Sequence, residues 1–337
     1  MKIKAWRFYE FGGPSVLEWE EMELPGPGPG QALVRHTAIG VNFAEIYARK
    51  GQTHAPDHFP AGLGLEAAGV VEAVGRGVKF VKPGQRVAYA GNANPGAYAE
   101  ACLHDADTLI KLPRWIDDKT AAAAMTKGMT TQYLFNRTHK LKAGDTILMH
   151  AAAGGVGQIA GQWAKAVGAR IIGTVSTPEK ARIAKRSGYT HVITRQGRPG
   201  KRQCRKVVEE VMRLTNGRGV NVVYDSTGKD TWSESAECVE RLGLVVLFGA
   251  ASGAPEPMDF LTEGSKKSAY FHRATSVNYH TSPEIRQKTA RHLLRMMKSG
   301  AVKIKIGQTY PLSQARKVHR DLAARKTTGS TVMIPDT

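Results

Sequence analysis

The feature that most constrains this chain is a repeated alternation of short apolar runs and helix-like segments between residues 128 and 266. The runs lie at 146–150, 170–175, 222–225 and 244–249, and they lack the polar–apolar alternation of a strand with one exposed face. Strands of that kind are typical of a parallel sheet that helices cover on both faces. The repeated β-α-β units therefore predict an α/β fold with a doubly wound parallel sheet.

A glycine turn follows the first of these runs. Residues 151–157 read AAAGGVG, and they keep the last two glycines of the G-x-G-x-x-G pattern, with Ala152 in the place of the first. In that pattern the glycines let the backbone approach a pyrophosphate and let the helix pack on the strand. A simple tight turn uses the same residues, but the position between a strand and a helix favours dinucleotide binding. The predicted phosphate-binding residues are Gly154, Gly155, Val156 and Gly157.

The end of the second run indicates which dinucleotide is bound. An NAD site usually has Asp or Glu about 20 residues after the glycines, where it accepts a hydrogen bond from the ribose 2′-hydroxyl. Here the run ends at Ser176 without a carboxylate, and Lys180 follows one turn into the next helix. A hydroxyl and a cation suit a 2′-phosphate, so the pair favours NADP(H). The alternatives are an N-cap or turn role for Ser176 and an exposed helical position for Lys180.

The chain divides into two textures. Over residues 1–127, short apolar stretches recur between glycine and proline turns, which is the pattern of a small β-barrel or sandwich. Residues 128–266 form the predicted nucleotide-binding domain. After 267 the first texture returns, with a helix expected at 282–298 and a strand at 302–306. We expect residues 267–337 to fold back onto the first domain.

The chain carries a large positive charge. Its 337 residues include 48 Lys+Arg and 29 Asp+Glu, an excess of 48 − 29 = +19, and residues 177–218 alone hold twelve basic and three acidic side chains. A solvated surface is the simplest explanation, and a polyanion site is the alternative. Weak RNA binding is therefore the hypothesis from another functional class. The run lacks the interleaved aromatic residues of specific RNA readers.

Cysteine content and hydropathy bear on location. Cys102, Cys204 and Cys238 lie far apart and form no C-x-x-C pair. This excludes a disulfide scaffold and a four-cysteine zinc site, and it favours a reducing, cytoplasmic location. No apolar run reaches 18 residues and the first residues are charged and strand-like, so we expect neither a membrane span nor a secretory leader.

Five segments spread over the chain resemble one known family. They are residues 40–43 (GVNF), 62–75 (GLGLEAAGVVEAVG), 151–169 (AAAGGVGQIAGQWAKAVGA), 222–228 (VVYDSTG) and 322–330 (LAARKTTGS). These segments are similar to the quinone oxidoreductases, the zinc-free, zeta-crystallin-like branch of the medium-chain dehydrogenase/reductase superfamily. The resemblance implies a GroES-like β-barrel domain, a Rossmann domain and a cleft between them that holds the nicotinamide. It also implies NADPH as hydride donor, a quinone as acceptor and a homodimer.

The resemblance also bears on a metal. Zinc-dependent relatives place a cysteine and a histidine where this chain has Asn42 and Leu65, and the neighbouring Glu66 remains. An amide is a poor zinc ligand and leucine has no lone pair, so one carboxylate cannot complete a tetrahedral site. We therefore expect no catalytic metal.

The resemblance implies a set of site residues. Asn42 and Tyr47 are expected at the catalytic end, although Asn42 could also be a turn residue and Tyr47 an inward-packing helix residue. Thr130 is expected to contact the cofactor or, alternatively, to bond back to its own helix. The cofactor-binding residues implied beside the glycine turn are Phe43, Thr130, Ser176, Lys180, Ser226, Phe248, Gly249, Arg273 and Arg325.

Two positions depart from the family pattern. Arg195 stands where relatives often have a tyrosine. It could add a second cation at the 2′-phosphate, stack on the adenine or belong to the basic surface. Ala250 stands where relatives tend to have an asparagine, which removes one amide contact to the cofactor.

The hypothesised reaction is zinc-independent hydride or electron transfer from NADPH to a quinone. No histidine or lysine stands out in the sequence as a general acid. Tyr47 or the Asn42 amide would then donate a hydrogen bond to the acceptor oxygen, and solvent would supply the proton. An NADPH-dependent enone or enoyl reductase would use the same fold and cofactor, and it is the second enzyme hypothesis.

Overall fold

A computed structural model describes residues 1–53, 55–91, 96–195 and 201–336, apart from the side chains of 201–204. The chain forms two compact units. The first comprises Met1–Met129, Thr281–Arg291 and Ile304–Thr337, and the second comprises Thr130–His280 and His292–Lys303. The predicted domains, 1–127 with 267–337 and 128–266, differ from these units mainly at 267–280 and 292–303, which group with the second unit.

The first unit is built mostly from antiparallel strands. They are β1 (Lys2–Phe8), β2 (Glu18–Glu23), β3 (Gln31–Val41), β4 (Ala61–Gly62), β5 (Glu66–Val74), β6 (Arg86–Ala90), β7 (Ala101–Asp105), β8 (Ile110–Lys111), β15 (Ile306–Pro311) and β16 (Ser330–Ile334). One sheet has the order β2-β1-β4. The other has the order β15-β16-β3-β5-β6-β8, with β7 also paired to β3.

Strand β3 is central to the first unit. It pairs with β5 (Leu33 opposite Ala73), with β7 (Val34 opposite Cys102) and with β16 (Val332 opposite Gly40). Apolar side chains from all these strands form a buried core, and β3 contributes fully buried residues along most of its length. Because β3 is fixed on several sides, the residue that follows it, Asn42, has a well-defined position.

The second unit contains a parallel sheet. Its strands are β9 (Thr146–Met149), β10 (Arg170–Val175), β11 (His191–Thr194), β12 (Val220–Asp225), β13 (Val239–Leu247) and β14 (Tyr270–Arg273). Their order is β11-β10-β9-β12-β13-β14, and every neighbouring pair is parallel. Counted from β9, this is the 3-2-1-4-5-6 order of the Rossmann fold. The predicted doubly wound α/β sheet is therefore confirmed.

Burial explains why these strands look uniformly apolar in the sequence. All four residues of β9 are buried, and Leu148, Ile172, Val223 and Val245 lie in one core. The strand order changes direction between β9 and β12, which opens a crevice at the carboxyl ends of the strands. The loops at that edge carry most of the residues that the sequence singles out.

The helices are α1 (Phe43–Arg49), α2 (Asp118–Tyr133), α3 (Gly155–Val167), α4 (Pro178–Arg186), α5 (Lys201–Leu214), α6 (Trp232–Cys238), α7 (Ser276–Tyr279), α8 (Pro283–Lys298) and α9 (Ala315–Ala323). Short 3₁₀ turns lie at Pro14–Val16, Ala106–Thr108 and Leu312–Gln314, and π turns at Leu134–Thr138 and Phe260–Gly264. Gly168 ends α3 with a φ of 86°, the left-handed conformation that glycine adopts without strain. Among the described residues, no helix is long and apolar enough to cross a bilayer.

The predicted strand at 302–306 is wrong. The alternating Val-Lys-Ile-Lys-Ile pattern suits a half-exposed strand, but β15 begins only at Ile306. The preceding backbone is held by other partners: Val302 N donates to Met296 O at the end of α8, and Lys303 N donates to Gln162 Oε1 over 2.8 Å. A hydrogen bond to the end of α8 and one to a side chain of α3 thus replace the hydrogen bonds that a neighbouring strand would have made.

Candidate active site and nucleotide site

Four polar side chains meet at the end of β3 in the first unit. Asn42 precedes α1, and its backbone N donates to Glu45 Oε2 over 2.5 Å. Asn42 Nδ2 donates to Glu45 Oε1 (3.2 Å) and to Glu66 Oε2 (3.1 Å). Lys127, on α2, donates from Nζ to Asn42 Oδ1 and to Glu66 Oε2, both over 2.9 Å. We call these four residues the Asn42 cluster.

Three of the four residues in the Asn42 cluster are buried, and Asn42 itself is partly exposed. Glu45 and Glu66 are at most 1% exposed and Lys127 is 7% exposed. A charge is costly to bury unless it is paired and hydrogen-bonded, and Glu66 meets this condition through Lys127 Nζ and through Thr126 N at 2.6 Å. Burial raises the pKa of the Glu45 carboxyl to about 7, although the hydrogen bonds from Asn42 and the charge of Lys127 oppose the rise.

These contacts fix the orientation of Asn42. Its amide nitrogen faces two carboxylates and its amide oxygen faces an ammonium, so the carboxamide has donors and acceptors on the correct sides. The nitrogen and the oxygen of the Asn42 carboxamide are therefore both hydrogen-bonded within the protein. The predicted hydrogen bond from this amide to an acceptor oxygen would have to compete with two carboxylates.

Phe43, Tyr47 and Thr130 are the other predicted residues on α1 and α2. Phe43 and Tyr47 are one turn apart on α1, with ring centroids 6.3 Å apart, and both are partly exposed. They form an aromatic face one turn beyond Asn42. Thr130 belongs to the second unit, where its hydroxyl bonds with the buried Tyr133.

The glycine turn lies where the sequence predicts it, between β9 and α3. Gly154 is the N-cap of α3, and its N donates to Ala151 O over 2.9 Å. A Cβ on Gly157 would lie 2.5 Å from Ala151 O and 2.7 Å from Ala152 O. Glycine at 157 is therefore required for the helix to approach the turn so closely. The first N–H groups of α3 then lie at the carboxyl edge of the sheet, as in phosphate-binding turns.

Strand β10 ends beside this turn without a carboxylate. Ser176 follows the strand and is exposed, and Thr177 caps α4 by accepting from Lys180 N over 3.2 Å. Lys180 is partly buried in the first turn of that helix. Glu179 is adjacent in sequence, but it pairs with Arg182 on the exposed surface. The end of β10 thus combines a hydroxyl and an ammonium.

Three further predicted residues meet after β12 and β13. Phe248 N donates to Asp225 O over 2.8 Å, and a Cβ on Gly249 would lie 2.7 Å from Ser226 O. The close approach of the two loops therefore depends on glycine at 249. Arg273, at the end of β14, donates from Nη1 to Leu247 O (3.1 Å) and Ala274 O (2.9 Å).

The sheet edge thus brings together the residues predicted in the second unit, apart from Thr130, which lies on α2. They are Gly154, Gly155, Val156, Gly157, Ser176, Lys180, Arg195, Ser226, Phe248, Gly249 and Arg273. Asn42, Phe43, Tyr47 and Arg325 belong to the first unit. Arg325 is exposed just after α9 and has a φ of 58°.

A buried polar network under the sheet edge escapes sequence analysis. His150 bonds through Nδ1 to Thr174 Oγ1 (2.8 Å) and through Nε2 to Ser235 Oγ (3.0 Å). Ser235 Oγ in turn donates to Asp225 Oδ2 over 2.8 Å. Burial lowers the pKa of His150 to about 4, so the ring is neutral at physiological pH. The sequence places these residues on separate strands and helices, and no spacing rule connects them.

Lys127 and Glu45 are the other residues that sequence reasoning missed. A usable signal exists: Lys127 is a lone charge in the otherwise uncharged segment 120–136, which is mainly apolar. A lysine in such a segment needs a buried partner. The partner, Glu66, lies 61 positions away in sequence, so only the fold reveals it.

The basic run at 177–218 is paired in part where the structure describes it. Arg182 pairs with Glu179, Arg205 with Glu209, Arg213 with Glu210 and Arg218 with Glu240. Residues 196–200 and the side chains of 201–204 lie outside the described part of the chain. RNA binding by this run stays a prediction.

Comparison with known proteins shows the family to which the chain belongs. Residues 28–114 match the model of the alcohol dehydrogenase GroES-like domain, and residues 155–295 match that of zinc-binding dehydrogenases. A quinone oxidoreductase of Pseudomonas aeruginosa is 46% identical over 332 residues, covering 98% of this chain and 99% of that protein. The chain belongs to the quinone oxidoreductase family. The family inferred from the sequence segments is thus confirmed.

One solved structure and one further relative are also similar to the chain. The structure of Escherichia coli quinone oxidoreductase complexed with NADPH superposes with a TM-score of 0.93 at 40% identity, covering 98% of this chain and all of that one. A 2-haloacrylate reductase of Burkholderia is 40% identical over 340 residues, covering 99% of both proteins. The GroES-like and Rossmann architecture of quinone oxidoreductases is therefore shown for this chain.

The donor set at the Asn42 cluster does not fit the zinc ion that the matched dehydrogenase model names. Asn42 and Leu65 stand where zinc-dependent relatives have their cysteine and histidine ligands, and the neighbouring carboxylate of Glu66 is paired with the ammonium of Lys127. That ammonium is a fixed positive charge beside the ligand positions, and it would repel a metal cation. Among the described residues, no group of three or more His, Cys, Asp or Glu side chains is placed to hold a metal.

Proposed function

We propose that this chain is an NADPH-dependent quinone oxidoreductase that works without a metal. The observation that carries the proposal is the similarity to quinone oxidoreductases over 98% of the chain. The glycine turn, the absence of a carboxylate at the end of β10 and the Lys127–Glu66 pair agree with a metal-free site for a phosphorylated nucleotide.

The residues present fit NADPH. Gly157 lets α3 pack closely on the turn, and the first turn of α3, which begins after Gly154, would offer N–H donors to a pyrophosphate. Ser176 and Lys180 would hold the 2′-phosphate by hydrogen bonding and charge. Bound there, NADPH supplies a hydride, and the acceptor takes up that hydride together with a proton from solvent.

The chain's own residues would then bind and orient the acceptor. The Asn42 cluster holds the start of α1 rigidly, which places the aromatic face of Phe43 and Tyr47. An aromatic face of this kind suits a flat quinone ring. We assign the hydrogen bond to the acceptor oxygen to Tyr47, because its ring belongs to the partly exposed aromatic face against which the quinone would lie.

A second candidate is an NADPH-dependent enone or enoyl reductase, which the similarity to a 2-haloacrylate reductase favours. Steady-state NADPH oxidation separates the two. Benzoquinone and naphthoquinone are compared with a conjugated enone and with 2-chloroacrylate at equal concentrations. The proposal predicts the largest kcat/KM with a quinone, and activity confined to the enone or haloacrylate would refute it.

We further propose that the protein is a cytoplasmic homodimer. Strand β14 is an edge strand within the described residues, and it exposes Tyr270 by 64%. Leu242 and Leu261 are exposed by 64% and 89%, so the second unit carries a set of exposed apolar side chains. An unpaired edge beside apolar side chains is a site where a second copy can add its strand. Sedimentation equilibrium with Tyr270→Lys and Leu261→Lys tests this, and an unchanged mass would contradict it.

A further inference from the structure

Arg195 follows β11 at the sheet edge, beside the end of β10. Its backbone N donates to Val175 O over 2.8 Å, so its Cα lies next to the segment that carries Ser176. The side chain does not stay there. The guanidinium bonds through Nη1 to Glu234 Oε1 and through Nη2 to Asp230 O over 3.1 Å. Arg195 therefore extends across the sheet edge toward the residues that follow β12.

The partner of Arg195 is an unusual carboxylate. Glu234 lies in the first turn of α6, and its side chain is completely buried, while that of Arg195 is 12% exposed. His150 also lies beside Glu234: its Nδ1 is 3.6 Å from Glu234 Oε1, and burial lowers the pKa of its ring to about 4. With a neutral His150, the positive charge of Arg195 is balanced mainly by Glu234.

A balanced pair has a small field at a distance. Two opposite charges in contact attract a nearby phosphate far less than an isolated guanidinium would, because the carboxylate repels it from almost the same place. Solvent and salt screen the field of an exposed ion pair. The Arg195–Glu234 pair is largely buried, so its field is weak because the two charges offset each other and not because solvent screens them. Lys180 lies in the first turn of α4, where its backbone N donates to the N-cap residue Thr177, next to Ser176 at the end of β10.

We propose that Glu234 determines how strongly the nucleotide site selects a 2′-phosphate, by holding Arg195 away from it and cancelling its charge. Lys180 then carries most of the discrimination between phosphorylated and unphosphorylated nucleotides. This rests on the proposed function, because it concerns the same NADPH site. Of the three roles that the sequence leaves open for Arg195, a direct contact with the 2′-phosphate is the one excluded.

The test measures binding and not turnover. Dissociation constants for 2′,5′-ADP and 5′-AMP are obtained by calorimetry, and their ratio is the selectivity for the 2′-phosphate. The key variants are Glu234→Gln, which keeps the shape but frees the charge of Arg195, and Arg195→Met/Glu234→Gln, which removes the pair. Glu209→Gln is the matched control, because it frees Arg205 of an exposed pair on α5.

Glu234→Gln should raise the selectivity about fivefold, the size expected for one partly screened charge within about 10 Å. The double variant should keep the selectivity of the wild type within about twofold. The Arg195–Glu234 pair has no net charge, and neither do the two residues that replace it. The control should not change it, since exposed pairs contribute little. Either key variant decides the matter if the other fails to fold, which thermal unfolding shows.

A fall in selectivity of tenfold or more in the double variant would show that Arg195 binds the phosphate directly, and the inference would be wrong. An unchanged or lower selectivity in Glu234→Gln would also overturn it. Failure of the proposed function gives a different result, namely a wild-type protein that binds neither ligand or prefers 5′-AMP. That outcome would remove both proposals together.

Discussion

Lys127 Nζ and Glu66 Oε2 lie 2.9 Å apart, with side chains exposed by only 8% and 0%. They connect α2 to the start of β5, and both also bond to Asn42. An ion pair this deep needs both partners, because either one left alone is a buried, unbalanced charge. The Lys127–Glu66 ion pair therefore fixes the position of the Asn42 side chain.

Lys127→Met should destabilise the chain by about 3–5 kcal/mol, since it leaves Glu66 without its ammonium partner. Urea unfolding followed by circular dichroism measures this. The matched control is Lys119→Met, which removes an exposed lysine on the same helix and should change stability by less than about 0.5 kcal/mol. Equal stability of the Lys127 variant and the wild type would contradict the structural role of the pair.

Gly157→Ala tests the close approach of α3 to the glycine turn. The added Cβ would lie 2.5 Å from Ala151 O, and the turn must shift to admit it. We expect a loss of about 1–3 kcal/mol and weaker NADPH binding. Gly154→Ala is the matched control for the loss of stability, because its Cβ would lie 3.2 Å from the same oxygen and should be tolerated better. A tighter NADPH complex in Gly157→Ala would be incompatible with this packing.

Lys180→Glu tests the choice between NADPH and NADH. Replacing a cation by an anion beside the 2′-phosphate should weaken NADPH binding by at least about tenfold, or about 1.4 kcal/mol. Binding of NADH should change little, because it has no phosphate there. Fluorescence titration gives both dissociation constants, and Lys185→Glu, an exposed position on the same helix, serves as control. Equal weakening of both nucleotides would remove Lys180 from the phosphate site.

Glu45 predicts a pH dependence of stability. Burial raises the pKa of its carboxyl from 4.5 to about 7, so the folded chain retains a proton that the unfolded chain loses. The contribution of this group to stability therefore falls as pH rises from about 4.5 to about 7, and it levels off above that.

Glu45→Gln, which is neutral at every pH, should remove this slope. Its stability relative to the wild type should increase by a few kcal/mol between about pH 5 and about pH 8. Urea unfolding at several pH values measures the difference, and Glu18→Gln, an exposed position, is the control. A parallel pH dependence in the wild type and the Glu45 variant would show that Glu45 is ionised in the fold.

The sequence predicts the parallel sheet well because strands that are buried on both faces appear in it as uninterrupted apolar runs. The run at 170–175 coincides with β10, and the run at 146–150 differs from β9 by one residue. The segment at 302–306 fails because its alternation reflects one buried Val302 and exposed lysines, while hydrogen bonds from α3 and α8 hold its backbone. Local periodicity cannot anticipate such partners.

The candidate site is predictable where it depends on one loop. The glycine turn has a local signature, because Gly154 and Gly157 act through their own backbone. The Asn42 cluster and the Arg195–Glu234 pair have none, since their members meet across 24 to 85 positions of chain, apart from the local Asn42–Glu45 contact. Long-range ion pairs of this kind follow from the fold and not from spacing.

Metal-free turnover is the most direct test of the proposed function. Purified protein is dialysed against a chelator, its zinc content is measured, and NADPH oxidation by 1,4-naphthoquinone is followed at 340 nm, the absorbance of reduced nicotinamide. The account predicts full activity with far less than one zinc per chain, and a much lower rate with NADH. Activity that is lost on chelation and returns with stoichiometric zinc would contradict it.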